Sequence, residues 1–274
     1  MPIGDFNALI SKHRFSRIIY KYFGVLDLHS HIRLSPIIKF FIDYLNCHNS
    51  LRILELGCGS GINAFEIYKL SKRMNVDVHY IGVDLSSSSI VVANNLLQNY
   101  QKVDPQITSK ITFIHDDANV FLKKQQSISV DVVLLVDIIE HLKNPHELIN
   151  LSSKCMNNDG IYVVSVPTPL YPKFFGKDFH AKIGHVIDGY TIEALNSLFS
   201  SINFRCYRYK YNTGIISNVG CWLYYNKFNS TNKYLNLLKG LGLYPFKYLD
   251  LYNSSSVSCS LFAIYKREGD HVYV

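Results

Sequence analysis

The 274-residue chain is long enough for one sizeable domain with a small appendage. Hydrophobic residues make up 48% of it and charged residues 18%, which predicts a packed core and excludes wholesale disorder. The net charge of +7 comes from the flanks, because residues 1–50 hold six Lys and Arg against three acids, and residues 201–274 hold nine against three. Such flanks suit anionic lipid, nucleic acid or an acidic substrate, or form an ordinary solvated surface.

Neither a signal peptide nor a membrane-spanning segment is predicted. Basic residues interrupt the apolar N-terminal stretch, and no run reaches about 18 apolar residues. The six cysteines form no CxxC pair, so reduced thiols are expected. We therefore expect a cytoplasmic protein, with peripheral contact at a membrane left open.

Residues 1–50 are predicted to be helical, ending with a helix over Ile37–Leu45 that follows Pro36. From residue 51, short apolar strands alternate with helical segments, which is typical of a parallel sheet covered on both faces. The predicted strands are 52–56, 78–83, 111–114, 130–136 and 161–166, with two late strands near 203–211 and 257–266. The predicted helices lie near 62–72, 87–100, 117–124, 145–156 and 192–200. Asp159-Gly160 is interpreted as a turn before the fifth strand, and Thr191 as the N-cap of the last of these helices.

The junction of the first strand and its helix carries the strongest local signal, LELGCGSG over residues 54–61. Glycines let the chain turn sharply and let a ligand approach the backbone. Gly57, Gly59 and Gly61 do not match the G-x-G-x-x-G of dinucleotide folds, because Ile62 stands where a third glycine belongs, and there is no GK[ST] as in a P-loop. The loop therefore favours a neutral or cationic nucleoside over a pyrophosphate.

Acids stand at the ends of the next two strands. Asp84 is suited to accept both hydroxyls of a ribose. An acid in Asp116-Asp117-Ala118 is suited to accept from an adenine amino group while the following backbone N–H donates to the ring. Each has a simpler interpretation, as a turn residue or a helix N-cap. Their succession at neighbouring strand ends favours a nucleoside site.

The segments LELGCGSG, IGVDLS, IHDDA and DVVLLVDIIEHLKNP together resemble the motif series of class I S-adenosylmethionine-dependent methyltransferases. The most similar variety is the group of small-molecule enzymes with an EVLEH-like segment, such as ubiquinone-biosynthesis O-methyltransferases. The resemblance spans roughly residues 50–205. Two positions depart from it, namely Asp116, where glycine is common, and Asp137, where glutamate is usual.

The resemblance implies S-adenosylmethionine as cofactor and S-adenosylhomocysteine as product. It implies that the methionine part of the cofactor is lined by Glu55, Gly57, Cys58, Gly59 and Gly61. It further implies Asp84 at the ribose, Leu85 packed on adenine, Asp117 and Ala118 at the adenine edge, and Val136 beside the sulfonium. The implied fold is a Rossmann-like α/β fold with a seven-stranded, mostly parallel sheet and helices on both faces.

Four regions follow along the chain. Residues 1–50 are interpreted as an N-terminal helical lid and residues 51–212 as the S-adenosylmethionine-binding core. Residues 213–256 form a helical and aromatic insertion, and residues 257–274 supply the last strand and a tail.

Candidate catalytic residues lie at the ends of the fourth and fifth strands. Methyl transfer by in-line displacement needs an aligned acceptor and exclusion of water, and a hydroxyl acceptor also gains from a base. The candidate bases are His141, His180, His185 and Tyr190. His141 has the alternative of a packing or loop-bonding residue. A divalent-metal cage of Asp137, Glu140 and His141, with His180 or His185 added, is the less favoured interpretation, and we expect no metal.

Two aromatic segments bear on the acceptor. The proline-stiffened stretch 167–179 suits an apolar or ring-bearing acceptor, or packs as a plain lid. Within 215–250, Trp222 and other aromatics alternate with Lys227, Lys233, Lys239 and Lys247. That mixture fits either an anionic membrane surface or a helical cap packed on the sheet or on a partner chain.

The sequence thus favours O-methylation of a small molecule, a sugar or a lipid-linked precursor. One alternative is a catalytically silent module that binds the cofactor or a partner. Another is a protein or nucleic-acid methyltransferase, and nucleic acid is disfavoured because no [DNS]PP[YF] string follows the fourth strand. The acceptor atom and the oligomeric state stay open.

Overall fold

The computed structural model describes residues 28–125, 128–226, 242–250 and 253–268. Its strands are β1 Ser50–Leu56, β2 Asp77–Asp84, β3 Ile111–His115, β4 Val130–Val136, β5 Met156–Pro167, β6 Phe204–Tyr211 and β7 Ser260–Arg267. Its helices are α1 Leu28–Leu45, α2 Ile62–Met74, α3 Ser87–Gln101, α4 Ile107–Lys110, α5 Ala118–Lys124, α6 Pro145–Ser153, α7 Tyr171–Phe175, α8 Lys177–Lys182, α9 Ile192–Ser200 and α10 Ile215–Asn226. Short 3-10 turns cover Ile139–His141 and Tyr244–Tyr248.

The seven strands form one sheet in the order β3-β2-β1-β4-β5-β7-β6. β1 to β5 pair in parallel, whereas β7 runs antiparallel to both β5 and β6. This arrangement confirms the predicted Rossmann-like, mostly parallel sheet with two late strands. The carboxyl ends of β1, β2 and β4 therefore open on the same edge, where ligands of such folds bind.

Both faces of the central strands are buried. In β4 every residue from Val132 to Leu135 is fully buried, with alternate side chains entering the apolar cores on opposite faces. In β1 the neighbours Ile53 and Leu54 likewise enter different cores. Near-continuous apolar strands are what a parallel sheet with helices on both faces requires.

Two element boundaries differ from the prediction. α1 begins at Leu28 and runs through Pro36, because its buried stripe continues across the proline and packing outweighs the lost backbone hydrogen bond. α6 ends at Ser153, and Asp159-Gly160 lies inside β5 rather than before it. The pairing of β4 with β5 shifts register between Val130 and Val132, which accommodates these residues as an irregularity within the strand.

Thr191 caps α9 as predicted, with its hydroxyl accepting from the Ala194 backbone N–H at 3.2 Å. Of the N-terminal helices, α1 is described and residues 1–27 lie outside the described residues. Within the described part of the chain, no helix combines the length and apolar character needed to cross a bilayer.

Candidate functional site

The glycine loop between β1 and α2 presents a bare backbone to the crevice. Gly57, Gly59 and Gly61 have φ of 76°, 53° and 77°, in the left-handed region that favours glycine. A Cβ added at Gly61 would lie 2.6 Å from Phe113 Cε1, whereas one at Gly59 would have no atom within 4 Å. Packing against Phe113 therefore leaves no room for a side chain at position 61. The open side of Gly59 is the face of the loop that is accessible to a ligand.

Asp84 ties this loop to the end of β2. Its Oδ2 accepts from the Gly59 backbone N–H at 2.7 Å, and its Oδ1 accepts from that of Ser86 at 2.8 Å. A carboxylate offers about four lone-pair sites, so capacity for ribose hydroxyls is left after these two bonds. Next to it, the Leu85 side chain is 69% exposed, as a platform for a flat ring requires.

Glu55 lies beneath the loop in a fully buried position. It accepts hydrogen bonds from Asn63 Nδ2 at 2.5 Å and from the Tyr80 hydroxyl. Burial raises the pKa of Glu55 to about 7, and the two hydrogen bonds only partly offset this. Glu55 thus fixes the base of the loop. Cys58 is also buried, and burial raises the pKa of its thiol.

The acids after β3 have structural partners. Asp117 is the N-cap of α5 and accepts from the Val120 backbone N–H at 3.0 Å, which confirms the helix-cap alternative. Asp116 forms an ion pair with Lys124 at 2.9 Å. Ala118 begins α5, beside this cap. Contact of Asp117 and Ala118 with adenine stays a prediction.

The end of β4 connects the glycine loop to a second space. Val136 is half-buried, and Asp137, directly after it, has φ of 46°, which is unusual for a residue with a side chain. Ile138 packs against Gly57. Asp137 forms an ion pair with Arg33 of α1. α1 therefore contacts the sheet at the position where the predicted sulfonium contact, Val136, ends its strand.

A cavity of about 510 Å³ opens at this point. Apolar and aromatic side chains of α1, α7 and α8 form one side, and polar residues at the β6–α10 junction and the start of β7 form another. The lining residues are Ile32, Arg33, Asp137, Glu140, His141, Pro167, Tyr171, Phe175, Phe179, Lys182, Ile183, His185, Thr213, Asn218, Cys221, Cys259 and Ser260. Its size falls within the range of about 300–1,000 Å³ typical of small-molecule pockets.

Two of the four candidate bases line this cavity. The carbonyl oxygen of Gly184 lies 3.0 Å from His141 Nδ1, so that nitrogen must carry the hydrogen and Nε2 carries the lone pair in the neutral ring. His185 packs edge-on against His141 with ring centroids 4.7 Å apart. Its Nε2 is 3.9 Å from Glu140 Oε1.

The other two candidates differ. Tyr190 is 6% exposed, and its hydroxyl donates to the Ile139 carbonyl at 3.2 Å. Burial raises its pKa, and Tyr190 is not among the residues that line the cavity, so a role for Tyr190 as base stays a prediction. His180 lies on α8, but its side chain is outside the described residues.

The predicted metal trio is assembled differently. Asp137 is engaged with Arg33, while donor atoms of Glu140, His141 and His185 lie within 4.8 Å of one another. Carboxylate oxygens and imidazole nitrogens are ligands that a divalent ion accepts, so these three residues, rather than the predicted trio, are the ones that could hold a metal. Glu140 is fully buried, its oxygens accept no hydrogen bond from the described residues, and burial raises its pKa to about 8.

Several residues of the site lie outside the set that the sequence predicts. Gly82 was one with a detectable signal, because a lone glycine inside a strand marks close approach, and here it faces the Cys58 side chain. No sequence signal identifies four other lining residues, because only the packing of distant elements brings them to the cavity, namely Arg33, Lys182, Thr213 and Asn218.

Comparison with known proteins agrees with this geometry. The family model described as a methyltransferase domain matches residues 47–199, more than half of the chain. The mitochondrial ubiquinone biosynthesis O-methyltransferase of Schizosaccharomyces pombe is 25% identical over 126 residues, 46% of this chain and 41% of that protein. The ubiquinone biosynthesis O-methyltransferase of Rickettsia typhi is 30% identical over 143 residues, 52% of each. The chain thus matches about half the length of these curated relatives.

The fold has counterparts among solved structures. A SAM-dependent methyltransferase from Archaeoglobus fulgidus superposes with a TM-score of 0.55 at 18% identity, covering 93% of this chain and all of that one. Together, the family match, the sheet order and the glycine loop show that the chain belongs to the class I S-adenosylmethionine-dependent methyltransferases.

Proposed function

We propose that this chain binds S-adenosylmethionine in the crevice beside the glycine loop and methylates a hydroxyl group of a small, ring-bearing molecule. The observation that carries the proposal is the cavity of about 510 Å³, which begins at Asp137, one residue beyond the cofactor strand β4. Such a cavity admits a small acceptor next to the cofactor crevice, whereas a polymer would need an open groove.

The crevice fits the cofactor. The open side of Gly59 admits a close-lying ligand, Asp84 has lone pairs left for two hydroxyls, and Leu85 offers an exposed apolar surface to a base. When bound, S-adenosylmethionine supplies the methyl group. Asp117 and Ala118 lie at the end of the next strand, β3, where the adenine edge is proposed to contact them.

Residues that line the cavity then bind the acceptor and accept its proton. Tyr171, Phe175 and Phe179 give a ring an apolar wall and exclude water. The His141 tautomer set by Gly184 leaves Nε2 to accept the proton of an acceptor hydroxyl. His185 packs against that ring and limits its rotation. The names of the relatives from Schizosaccharomyces pombe and Rickettsia typhi, both O-methyltransferases, support oxygen as the acceptor atom.

Transfer of labelled methyl groups tests the proposal. Phenols and sugars, each paired with its amine and its O-methylated analogue, are incubated with the protein and labelled S-adenosylmethionine. We expect transfer to phenolic hydroxyls, none to the O-methylated analogues, and a loss of about 10²- to 10⁴-fold in His141→Gln, the usual contribution of a base. Preferential labelling of amines, or full turnover in His141→Gln, would contradict the acceptor and the base.

The second candidate is a catalytically silent module. Measuring the binding of S-adenosylhomocysteine alongside methyl transfer distinguishes such a module from an enzyme. That module would bind S-adenosylhomocysteine but transfer no label to any acceptor. Because the cavity contains a histidine whose tautomer is fixed beside the proposed methyl position, we favour the enzyme.

A further inference from the structure

The outer edge of the sheet is strongly cationic. β6 and its partner β7 contain five cations and no acid, namely Arg205, Arg208, Lys210, Lys266 and Arg267. The three cations of β6 are exposed, and so are Tyr207 and Tyr209, which are 49% and 51% exposed. Tyrosine and basic side chains together are typical of surfaces that meet lipid headgroups.

This charge is only weakly compensated. Arg208 Nη1 is 3.9 Å from Asp43 Oδ2 of α1, and both side chains are more than half exposed, so the pair contributes little and is screened by salt. Lys266 Nζ lies 4.0 Å from the centroid of the Tyr207 ring, a contact that leaves its charge in place.

An apolar stripe lies on the helix that follows. Ile215 and Val219, one turn apart on α10, are 61% and 38% exposed. Leu249 is 50% exposed and is held beside the start of α10, because Asp250 accepts hydrogen bonds from the backbone N–H groups of Gly214 at 2.7 Å and Ile216 at 2.9 Å. Leu249 therefore follows the chain near the start of the helix that exposes Ile215 and Val219.

A short connection joins the cationic edge to the apolar stripe. Arg208 lies 3.9 Å from Asp43 near the end of α1, and Gly220 of α10 packs against Leu28 at the start of the same helix. Three residues of chain separate Tyr211, the last residue of β6, from Ile215. We call the set Arg205, Tyr207, Arg208, Tyr209, Lys210, Ile215, Val219 and Leu249 the edge surface.

We propose that the edge surface docks on a bilayer that contains anionic phospholipid. Its cations complement the negative headgroups, its tyrosines suit the interfacial region, and Ile215, Val219 and Leu249 enter the apolar boundary. A nucleic acid would pair with the cations but leave these apolar side chains in water. A second copy across a two-fold axis would place like charges opposite one another.

The same helix links this surface to the cavity. Asn218 and Cys221 of α10 line the cavity, while Ile215 and Val219 face away from the core. Docking therefore sets the cavity close to the bilayer. The inference concerns binding alone, so it is tested without any methyl acceptor and independently of turnover.

The test is co-sedimentation of the whole chain with phosphatidylcholine vesicles, with and without phosphatidylglycerol. We expect binding to the anionic vesicles, weakening as salt rises because attraction is screened over about 10 Å at 0.1 M. Arg208→Gln/Lys210→Gln is expected to lower the binding constant about 30-fold, roughly fivefold for each cation. Ile215→Ser/Val219→Ser is expected to lower it as well, through loss of buried apolar area. The matched control Lys72→Gln/Lys102→Gln removes two cations from the far side of the sheet and is expected to bind as the wild type does.

A second measurement needs no substitution. Trp222 is the single tryptophan of the chain and lies on α10, so brominated phosphatidylcholine in anionic vesicles is expected to quench its fluorescence. This quenching measurement on the wild-type chain tests the proposal even if a substituted protein fails to fold. Absence of sedimentation and quenching at low salt would overturn the proposal. So would equal weakening in the control pair, equal binding to vesicles without phosphatidylglycerol, or tighter binding to an oligonucleotide or a second copy.

Discussion

Two glycines of the same loop give the sharpest test of the cofactor crevice. Gly59→Ala places a methyl group on the open side of the loop, where no protein atom lies within 4 Å. Gly61→Ala places one against the Phe113 ring, 2.6 Å from Cε1. Both positions have positive φ, of 53° and 77°, so the backbone strain of the two variants is similar and their difference isolates what the methyl group meets.

The expected magnitudes follow from these surroundings. An alanine in the left-handed region costs about 1–2 kcal/mol of stability, which applies to both variants. Gly61→Ala adds overpacking of about 1–3 kcal/mol, since the Phe113 ring must move. Gly59→Ala is expected to lose only this backbone contribution to stability, yet to bind S-adenosylhomocysteine at least tenfold more weakly, a loss of about 1.4 kcal/mol.

Urea unfolding and titration calorimetry measure the two quantities separately. We expect Gly59→Ala mainly to lose affinity and Gly61→Ala mainly to lose stability. Wild-type affinity in a folded Gly59→Ala protein would refute the assignment of this loop face to the ligand.

Three further outcomes are expected. Asp84→Ala should weaken S-adenosylhomocysteine binding by about 2–3 kcal/mol, measured by calorimetry, because the substitution removes a charged hydrogen-bond acceptor. The substitution should also destabilise the glycine loop, because Asp84 accepts from the Gly59 N–H. Unchanged affinity would exclude the ribose role. The pKa of Glu140 is raised from 4.5 to about 8, so the folded state binds the extra proton, and stability should fall by up to about 1.4 kcal/mol per pH unit as pH rises between these values. Glu140→Gln should lack that part of the slope in urea unfolding at several pH values, and a slope equal to that of the wild type would contradict the shift. Turnover should be insensitive to a chelator, because Asp137 of the predicted cage is paired with Arg33, whereas loss with chelator and recovery with a divalent ion would establish a metal site at Glu140, His141 and His185.

The sheet was predictable because its signals are local. The run Val130–Val136 is predominantly apolar, as a strand buried on both faces requires. Thr191 indicates the start of a helix because its hydroxyl can cap the first turn. The start of α1 was predicted wrongly because the prediction used a local signal, that helices seldom continue through proline. The buried stripe of α1 continues through Pro36. Asp159-Gly160 resembled a turn because nothing local reveals the register shift between β4 and β5.

The cofactor crevice was more predictable than the acceptor cavity. Gly59 and Asp84 stand at strand ends, so a parallel sheet brings them to one edge. The cavity instead depends on how distant helices pack. Arg33 meets Asp137, and His185 approaches Glu140, across long sequence separations that no spacing rule encodes. The sequence therefore named His141 and His185 as candidates, but it could not separate them from Tyr190, which the structure buries against Ile139.

The most direct test of the central claim is equilibrium binding of S-adenosylhomocysteine to the wild-type chain, with NADH and ATP as matched comparison ligands. The glycine spacing at positions 57, 59 and 61, without a third glycine at 62 or a lysine in the loop, favours a nucleoside over a pyrophosphate. We expect saturable binding of S-adenosylhomocysteine at one site, with binding of NADH and ATP at least tenfold weaker, a difference of about 1.4 kcal/mol. Equal or tighter binding of either comparison ligand, or no binding of S-adenosylhomocysteine, would contradict it.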